Sequence, residues 1–304
     1  MKPAAFTYHR ARDVEGATRL LAELGDDAKL IAGGQSLVAM MNYRLARPAH
    51  LVDVGALRGD PALTGVHPET HSETSPEAHP DEGNALRIGA LTTHHAVETA
   101  PDALLGPGFA VLRDAMRWVG HLPIRTRGTV GGSLAHADAT AEWCLLAVLL
   151  GARLEVRGPR GARRVAAGDF FHGYYATALD PDEMLTAVVF PRPAPHAALT
   201  EFAQRQGDFA TVAAGVDLDL APDGRTVRGG RVVLGGVAPR PVRVPAAEEV
   251  LAEGGSAGAR LFAACARAAA DSVDPPSDAD GSADYRRTLT RTLVARACEE
   301  AVSR

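Results

Sequence analysis

The chain has 304 residues, 46% of them hydrophobic, and a formal net charge of −5 at pH 7. This length allows two or three compact units with cores of their own, and the acidic balance argues against nucleic acid as a partner. No apolar run reaches the ~18 residues that a membrane span needs. Residues 1–6 also lack the apolar core of a signal peptide, so we expect no membrane span and a cytoplasmic location.

The cysteines exclude two further classes of protein. Cys144, Cys265 and Cys298 are odd in number and far apart, which argues against a disulfide framework and against a metal cluster. Because an iron–sulfur centre usually takes four cysteine ligands, this chain is not expected to carry one by itself.

The first elements in chain order predict a small βαβ unit. Asp13 is placed to cap a helix over residues 14–24, whose apolar residues recur on one face. Strands over residues 29–32 and 51–54 then flank a helix over residues 37–45.

The strand at 29–32 runs into what we call the first glycine loop, which consists of Ala32, Gly33, Gly34, Gln35, Ser36 and Leu37. Paired glycines allow a sharp turn and a close approach of the backbone to a ligand. The N–H groups that follow lie at a helix N-terminus, where they are unpaired and favour an anion. The loop therefore predicts a phosphate cradle, with an ordinary tight turn as the alternative.

Residues 60–84 differ in composition from the segments around them. They are rich in Pro, Glu, Thr and Ser and contain His67, His71 and His79. Such polar stretches are typical of loops, and we interpret this one as an insertion. A metal site at the three histidines is the alternative, but the stretch has little apolar support to fix ligand geometry.

The middle of the chain repeats the order of glycine loop and helix. A strand over residues 86–90 precedes a helix over 108–119, whose apolar spacing indicates a core face. The second glycine loop, residues 128–133, contains Thr129, Val130, Gly131, Gly132 and Ser133. Neither loop matches G-x-G-x-x-G and no G-x-x-x-x-G-K-[ST] occurs, which argues against the common dinucleotide and P-loop folds. Two such loops facing each other would hold a pyrophosphate from both sides.

The pattern changes near residues 180–183. Before this point come a buried helix over 141–150 and strands over 153–156 and 163–166. After it come strands over 184–190, 212–220 and 226–236, and then helices over 257–273 and 285–302. Strands followed by helices predict an antiparallel sheet with helices on one face.

Four blocks in order resemble the FAD-binding subunit of the molybdenum hydroxylases, the xanthine dehydrogenase and carbon monoxide dehydrogenase group. They are AGGQSL at 32–37, LRIGALTT at 86–93, GTVGGSLAHAD at 128–138 and EFAQRQGDFA at 201–210. The resemblance implies an α+β chain with a PCMH-type FAD-binding fold of two α/β subdomains, at about 1–57 and 58–178. A C-terminal domain over 179–304 would then hold the antiparallel sheet with helices on one face.

The resemblance also implies roles for particular residues in binding FAD. Both glycine loops would hold the pyrophosphate. Asp138 and Glu142 fall on the two Asp positions of the family's ADPxAD run, and Leu185 falls where an apolar side chain packs against the flavin ring. An exposed helix carboxylate is the alternative for Glu142, and an ordinary core leucine is the alternative for Leu185. Two departures from the family pattern stand beside these matches, because Ala139 replaces the usual Pro and Gln204 replaces the first of two arginines.

We find no nucleophile–base pair, no paired carboxylates and no metal-ligand cluster, so no catalytic side chain and no metal ligand are predicted and the chemistry is assigned to the cofactor. The resemblance implies an oxidoreductase subunit that receives electrons from a large molybdenum-cofactor (molybdopterin) subunit through a small iron–sulfur subunit with 2Fe–2S clusters. From FAD the electrons would leave to NAD, a quinone or oxygen. A dimer of heterotrimers is the expected assembly.

Two alternatives to this function remain. One is a self-contained FAD-dependent reductase resembling UDP-N-acetylenolpyruvoylglucosamine reductase. Such enzymes need an Asn-Ala-Gly-Ala-Tyr-Gly-like run after the second loop, where this chain has Leu134-Ala135-His136-Ala137. The other is a non-redox nucleotide-binding scaffold subunit, against which the intact glycines argue.

Overall fold

The computed structural model describes residues 2–69 and 84–304, and three larger β-sheets in these ranges organise the chain. The first sheet is parallel, whereas all strand pairs in the second and third are antiparallel. No helix in the described ranges is long and apolar enough to cross a bilayer.

The first sheet has the order β1-β3-β2. Its elements are β1 (Thr7–Arg10), α1 (Val14–Leu24), β2 (Ala28–Ile31), α2 (Leu37–Asn42) and β3 (His50–Asp53). Asp13 caps α1, since its carboxylate accepts a hydrogen bond from the Gly16 N–H. Strand β2 pairs in parallel with β3, which confirms the predicted βαβ unit. The strand β1 was missed because its residues are mostly exposed and show no apolar alternation.

The second sheet has the order β4-β5-β10-β6-β7. Its strands are β4 (Val66–Glu69), β5 (Ala85–Gly89), β6 (Arg153–Gly158), β7 (Gly161–Ala166) and β10 (Met184–Phe190), with a small hairpin of β8 (Phe171–Gly173) and β9 (Ala176–Thr177) nearby. Its helices are α3 (His94–Glu98), α4 (Asp102–Leu105), α5 (Ala110–Asp114), α6 (Leu122–Arg125), α7 (Val130–His136), α8 (Glu142–Leu149) and α9 (Ala167–Phe170). The buried helix α8 lies at the centre of the largest core, where six of its residues are essentially inaccessible to solvent.

The third sheet has the order β11-β12-β13-β14, with β15 beside β13. Its elements are β11 (Ala197–Phe202), β12 (Val212–Leu220), β13 (Thr226–Gly235), β14 (Val242–Arg243), α10 (Pro245–Ala252), β15 (Gly255–Ser256), α11 (Ala259–Asp271) and α12 (Ala283–Val302). The helices pack on the sheet through a core that includes Phe262 and Leu293, so these apolar residues are covered by their own domain. Helix α8 of the preceding unit contacts β12 and β13.

Two further segments differ from the predictions. Residues 66–69, inside the expected inserted loop, form strand β4 because Val66 and its neighbours pair with β5. His67 in this strand contacts the Thr64 carbonyl oxygen through Nε2, 2.8 Å away, whereas His71 and His79 lie outside the described residues. The expected helix over 108–119 is instead a short α5 between two 3₁₀ turns, Pro107–Phe109 and Ala115–Arg117, although its apolar residues are buried as predicted.

Strand β10 lies in the middle of the second sheet, hydrogen-bonded to β5 on one side and β6 on the other. The expected boundary at 178/179 would remove this strand from both of its neighbours and leave their edges unpaired. We therefore propose that the C-terminal domain begins between β10 and β11, rather than before β10.

Candidate functional site

The first glycine loop joins β2 to α2 at the carboxyl edge of the parallel sheet. Gly34 has φ +72°, which is the left-handed conformation that favours glycine, and it closes the turn into the helix. The side-chain amide of Gln35 donates to the carbonyl of Gly33 at 3.0 Å. Within the described part of the chain, the N–H groups of Gln35, Ser36 and Leu37 donate to no backbone or side-chain acceptor. Unpaired donors gathered at a helix start form a site for an anion.

The second glycine loop has a different hydrogen-bonding state. The N–H of Val130 donates to Thr92, and the N–H of Gly131 donates to Ala90, at 2.9 and 2.8 Å. Thr129 caps α7, since its Oγ1 accepts from the Gly132 N–H at 3.0 Å. The Ser133 N–H is bound to the Thr129 carbonyl at 3.0 Å. The second loop therefore has few free backbone donors, and the expected symmetry between the two loops is absent.

The two glycine loops touch each other directly. A Cβ added to Gly33 would lie 2.3 Å from the Arg127 carbonyl oxygen and 2.8 Å from the Gly128 Cα. A Cβ added to Gly131 would lie 2.4 Å from the Cβ of Ala90. Distances under 3.0 Å to backbone or Cβ atoms are not tolerated. Both glycines are thus needed for packing of the protein against itself, whereas Gly132 is exposed and its added Cβ would meet only the Thr129 hydroxyl.

A groove of about 500 Å³ opens beside the first glycine loop. The residues that line it are Tyr8, Ile31, Ala32, Gly33, Gly34, Gln35, Val38, Ala39, Asn42, Asp53 and Arg127. Arg127 is an exposed residue of this lining, and the contact it makes with the first glycine loop is through its backbone carbonyl, which lies against Gly33. The neighbouring Arg125 is committed elsewhere, because it binds Glu98 and the carbonyls of Val119 and Gly120.

Sequence analysis missed three polar residues of this groove: Tyr8, Asn42 and Asp53. The Tyr8 hydroxyl donates to the Asp53 carboxylate, and this hydrogen bond raises the pKa of Tyr8. A signal was available for Asp53, because it ends a parallel strand next to the one that carries the first glycine loop. Ligands of α/β sheets bind at that edge.

Asp138 and Glu142 lie just after α7, at the turn into α8. Asp138 closes this turn by accepting from the Thr140 N–H and hydroxyl, at 2.9 and 2.8 Å. This hydrogen bonding keeps the turn tight despite Ala139 in place of proline. Glu142 is the first residue of α8 and partly buried. Loss of hydration raises the pKa of Glu142 to about 7, helped by the charge of Asp138.

Glu142 has a partner that the sequence did not reveal. Across the third sheet, Glu201 on β11 faces Ala213 on β12, and Ala213 in turn faces Gly235 on β13. A Cβ added to Gly235 would lie 2.8 Å from the Ala139 carbonyl oxygen, so this end of the third sheet faces the start of α8. Burial and the nearby charge of Glu142 raise the pKa of Glu201 to about 9. The structure thus brings two carboxyl groups near enough to influence each other electrostatically at a domain interface, where none were expected.

The last expected contacts are those of Leu185 and of residues 201–210. Leu185 is 5% exposed within the core of the second sheet, which is the position of an ordinary core leucine. After β11, the block reaches Gly207, whose added Cβ would lie 2.7 Å from the His121 ring, just before α6 and the second loop. Asp208 accepts from the Phe209 N–H at 3.0 Å and so caps its own loop.

The described residues contain no group of three or more His, Cys, Asp or Glu side chains with a metal-binding arrangement. Among the described residues that line the groove, the Tyr8 hydroxyl beside the Asp53 carboxylate is the one pair of a hydroxyl with a base. The unpaired N–H groups of the first glycine loop support retention of an anionic ligand.

Comparisons with known proteins agree with the motifs. Residues 4–193 match the family described as the FAD binding domain in molybdopterin dehydrogenase. Residues 197–301 match the CO dehydrogenase flavoprotein C-terminal domain. The gap between the two matches falls between β10 and β11.

Similar proteins cover the whole chain. The carbon monoxide dehydrogenase medium chain of Afipia carboxidovorans is 37% identical over 100% of this chain and 99% of its own. The 6-hydroxypseudooxynicotine dehydrogenase complex subunit alpha of Paenarthrobacter nicotinovorans is 36% identical over 100% and 97%. Among solved structures, quinoline 2-oxidoreductase from Pseudomonas putida 86 matches with a TM-score of 0.87 and 34% identity. The match covers 100% of this chain and 99% of that chain.

Proposed function

The chain belongs to the family of FAD-binding subunits of molybdenum hydroxylases, and on this premise we propose that it carries FAD as the electron-transfer subunit of such a complex. The observation that carries the proposal is the row of unpaired N–H groups at Gln35, Ser36 and Leu37 beside Arg127. This arrangement fits a pyrophosphate, which brings negative charge and several acceptor oxygens.

Each part of the site has a proposed role toward FAD. The first loop, from Ala32 to Leu37, binds the pyrophosphate through its backbone, and Arg127 neutralises its charge. The second loop sets the opposite wall, with Ser133 as its half-buried polar side chain, while Thr129 is buried and holds the start of α7. Asp138 and Glu142 remain proposed contacts of the flavin end, while Leu185 supports this region from the core.

When bound, FAD supplies two-electron and one-electron redox chemistry, which lets one subunit link iron–sulfur centres to an acceptor such as NAD, a quinone or oxygen. The protein contributes binding, orientation and exclusion of water. We propose that the large molybdopterin subunit and the small 2Fe–2S subunit are separate chains, assembled with this one as a dimer of heterotrimers in the cytoplasm.

Two properties favour this function over the alternatives. A self-contained reductase would need a substrate domain with its own catalytic residues, but residues 197–301 match a CO dehydrogenase flavoprotein domain. A scaffold that had lost its nucleotide would not need a row of unpaired backbone donors beside an open groove.

Titration of the flavin-free full-length chain with FAD, ADP and FMN tests the binding proposal. We expect about one FAD per chain, competition by ADP and weaker binding of FMN, because FMN lacks the pyrophosphate. A protein that takes up no FAD, or that binds FMN as tightly as FAD, would contradict the assignment of the first loop.

Co-expression with genes for a molybdopterin subunit and an iron–sulfur subunit, followed by size-exclusion chromatography with mass determination, tests the partners. We expect all three chains in one species, with the mass of two heterotrimers. Elution of this chain alone, while the other two assemble and turn over normally, would refute the partner proposal without affecting FAD binding.

A further inference from the structure

His94 lies directly behind the second glycine loop. It is the first residue of α3, and its backbone N–H donates to the Gly128 carbonyl at 3.1 Å. The preceding residue, Thr93, forms an isolated antiparallel bridge with Thr129. The backbone of Gly128 and Thr129 is therefore attached to the segment that carries His94.

The imidazole of His94 packs against Gly128. A Cβ added to Gly128 would lie 2.8 Å from both Cδ2 and Nε2 of the ring, so the ring occupies the space of a side chain at this position. Gly128 is also the residue whose Cα is approached by Gly33 of the first loop. The contacts thus run from His94 to Gly128 and from Gly128 to Gly33. The ring supports the point at which the two glycine loops meet.

A hydrogen bond from the core fixes the orientation of this ring. The indole N–H of Trp143 on α8 donates to Nδ1 of His94 at 2.9 Å, and both side chains are buried. An indole is only a donor, so Nδ1 is unprotonated and the proton of the neutral ring is on Nε2, toward Gly128. Burial, followed by the charge of Arg125, lowers the pKa of His94 to about 4, which keeps Nδ1 available as an acceptor at neutral pH.

We propose that His94 is a positioning residue, which sets the spacing of the two glycine loops through its hydrogen bond with Trp143 and its contact with Gly128. This inference rests on the proposed binding of FAD between those loops. Neither side chain touches the groove, so the effect on FAD passes through the backbone of residues 127–129. In addition to their packing in the core, His94 and Trp143 together hold the second glycine loop in position.

Three variants of the full-length chain test the role of His94. His94→Leu removes the acceptor Nδ1 but keeps a similar side-chain volume. We expect FAD affinity to fall about tenfold or more, because the buried Trp143 N–H loses its hydrogen bond and is left unpaired. His94→Asn keeps an acceptor near the position of Nδ1, and we expect affinity within about threefold of wild type. His95→Leu is the matched control, since His95 is the next residue, is partly exposed and pairs with Glu98.

The FAD dissociation constant and the melting temperature of the FAD-free chain are measured for each variant. Trp143→Phe and the double variant His94→Leu/Trp143→Phe complete a double-mutant cycle. Because either single variant already removes the hydrogen bond, the double variant should bind FAD no more weakly than His94→Leu alone. Wild-type affinity in His94→Leu would overturn the inference, as would equal losses in His94→Asn and His94→Leu. If the wild-type chain itself binds no FAD, the proposed function fails and the cause lies outside His94.

Discussion

Replacing Gly33 with alanine tests the contact between the two glycine loops. The new Cβ would lie 2.3 Å from the Arg127 carbonyl oxygen, so the loops must separate by at least 0.7 Å to reach the 3.0 Å minimum of real Cβ contacts. The obstructing atoms are backbone atoms of Arg127 and Gly128, which cannot turn aside as a flexible side chain does. Overpacking of this kind costs about 1–3 kcal/mol. If the cost falls on the FAD-binding arrangement, affinity drops about 5- to 150-fold.

The assay compares FAD content after purification, the FAD dissociation constant and the melting temperature of the FAD-free chain. Gly168→Ala is the matched control, because no atom lies within 4 Å of its added Cβ and its backbone is helical. We expect the control to retain FAD and to melt no lower than wild type. Gly33→Ala should lose FAD, and its FAD-free form should melt several degrees lower, at about 2–4 °C per kcal/mol.

The FAD dissociation constant and the melting temperature together distinguish a loss of packing between the loops from simple obstruction of the ligand. If alanine only blocked the approach of phosphate, FAD affinity would fall while the melting temperature of the FAD-free chain stayed the same. If both quantities match wild type, the close contact between Gly33 and the Arg127 carbonyl has no energetic consequence and our reasoning is wrong.

Two further predictions concern charge and capping. The carboxyl of Glu142 loses its proton near pH 4.5 when unfolded but near pH 7 when folded, so wild-type stability falls as the pH rises through this window. Glu142→Gln should therefore gain about 1–3 kcal/mol at pH 8 and little at pH 4, as measured by urea unfolding at both pH values, and an equal gain at both would contradict the shift. Thr129→Val removes the cap of α7 and should cost about 1 kcal/mol in unfolding free energy, whereas Thr129→Ser should restore most of it.

The local pattern of apolar residues in the sequence was sufficient to predict the parts of the fold that depend on nearby residues. The strands Met184–Phe190 and Val212–Leu220 have the bounds that their apolar runs predict. Over 108–119 the buried side chains were identified correctly although the backbone is wound differently. An apolar spacing of three to four residues is satisfied by a 3₁₀–α–3₁₀ succession as well as by one continuous helix.

The parts that could not be predicted depend on contacts between distant segments. Nothing in the neighbourhood of Glu142 indicates Glu201, because only the register of the third sheet and its packing on α8 bring the two together. In the same way, the paired glycines predicted close approach, but not that Gly33 packs against the backbone of Arg127 and Gly128. Local sequence indicates that a glycine is needed and leaves its partner open.

The third sheet has a consequence for the groove even though it contributes no residue to its lining. Gly207 packs against His121, which precedes the second glycine loop, and Gly235 packs against the Ala139 carbonyl, which follows it. Both flanks of the second loop are therefore fixed by the C-terminal domain, while its middle is fixed by Ala90, Thr92 and His94. Most backbone donors of this loop are already paired, so the contribution that we propose for it is to position a wall, and that position depends on contacts from all sides. In this proposal the C-terminal domain is physically part of the site, although the unpaired donors follow a strand of the first sheet.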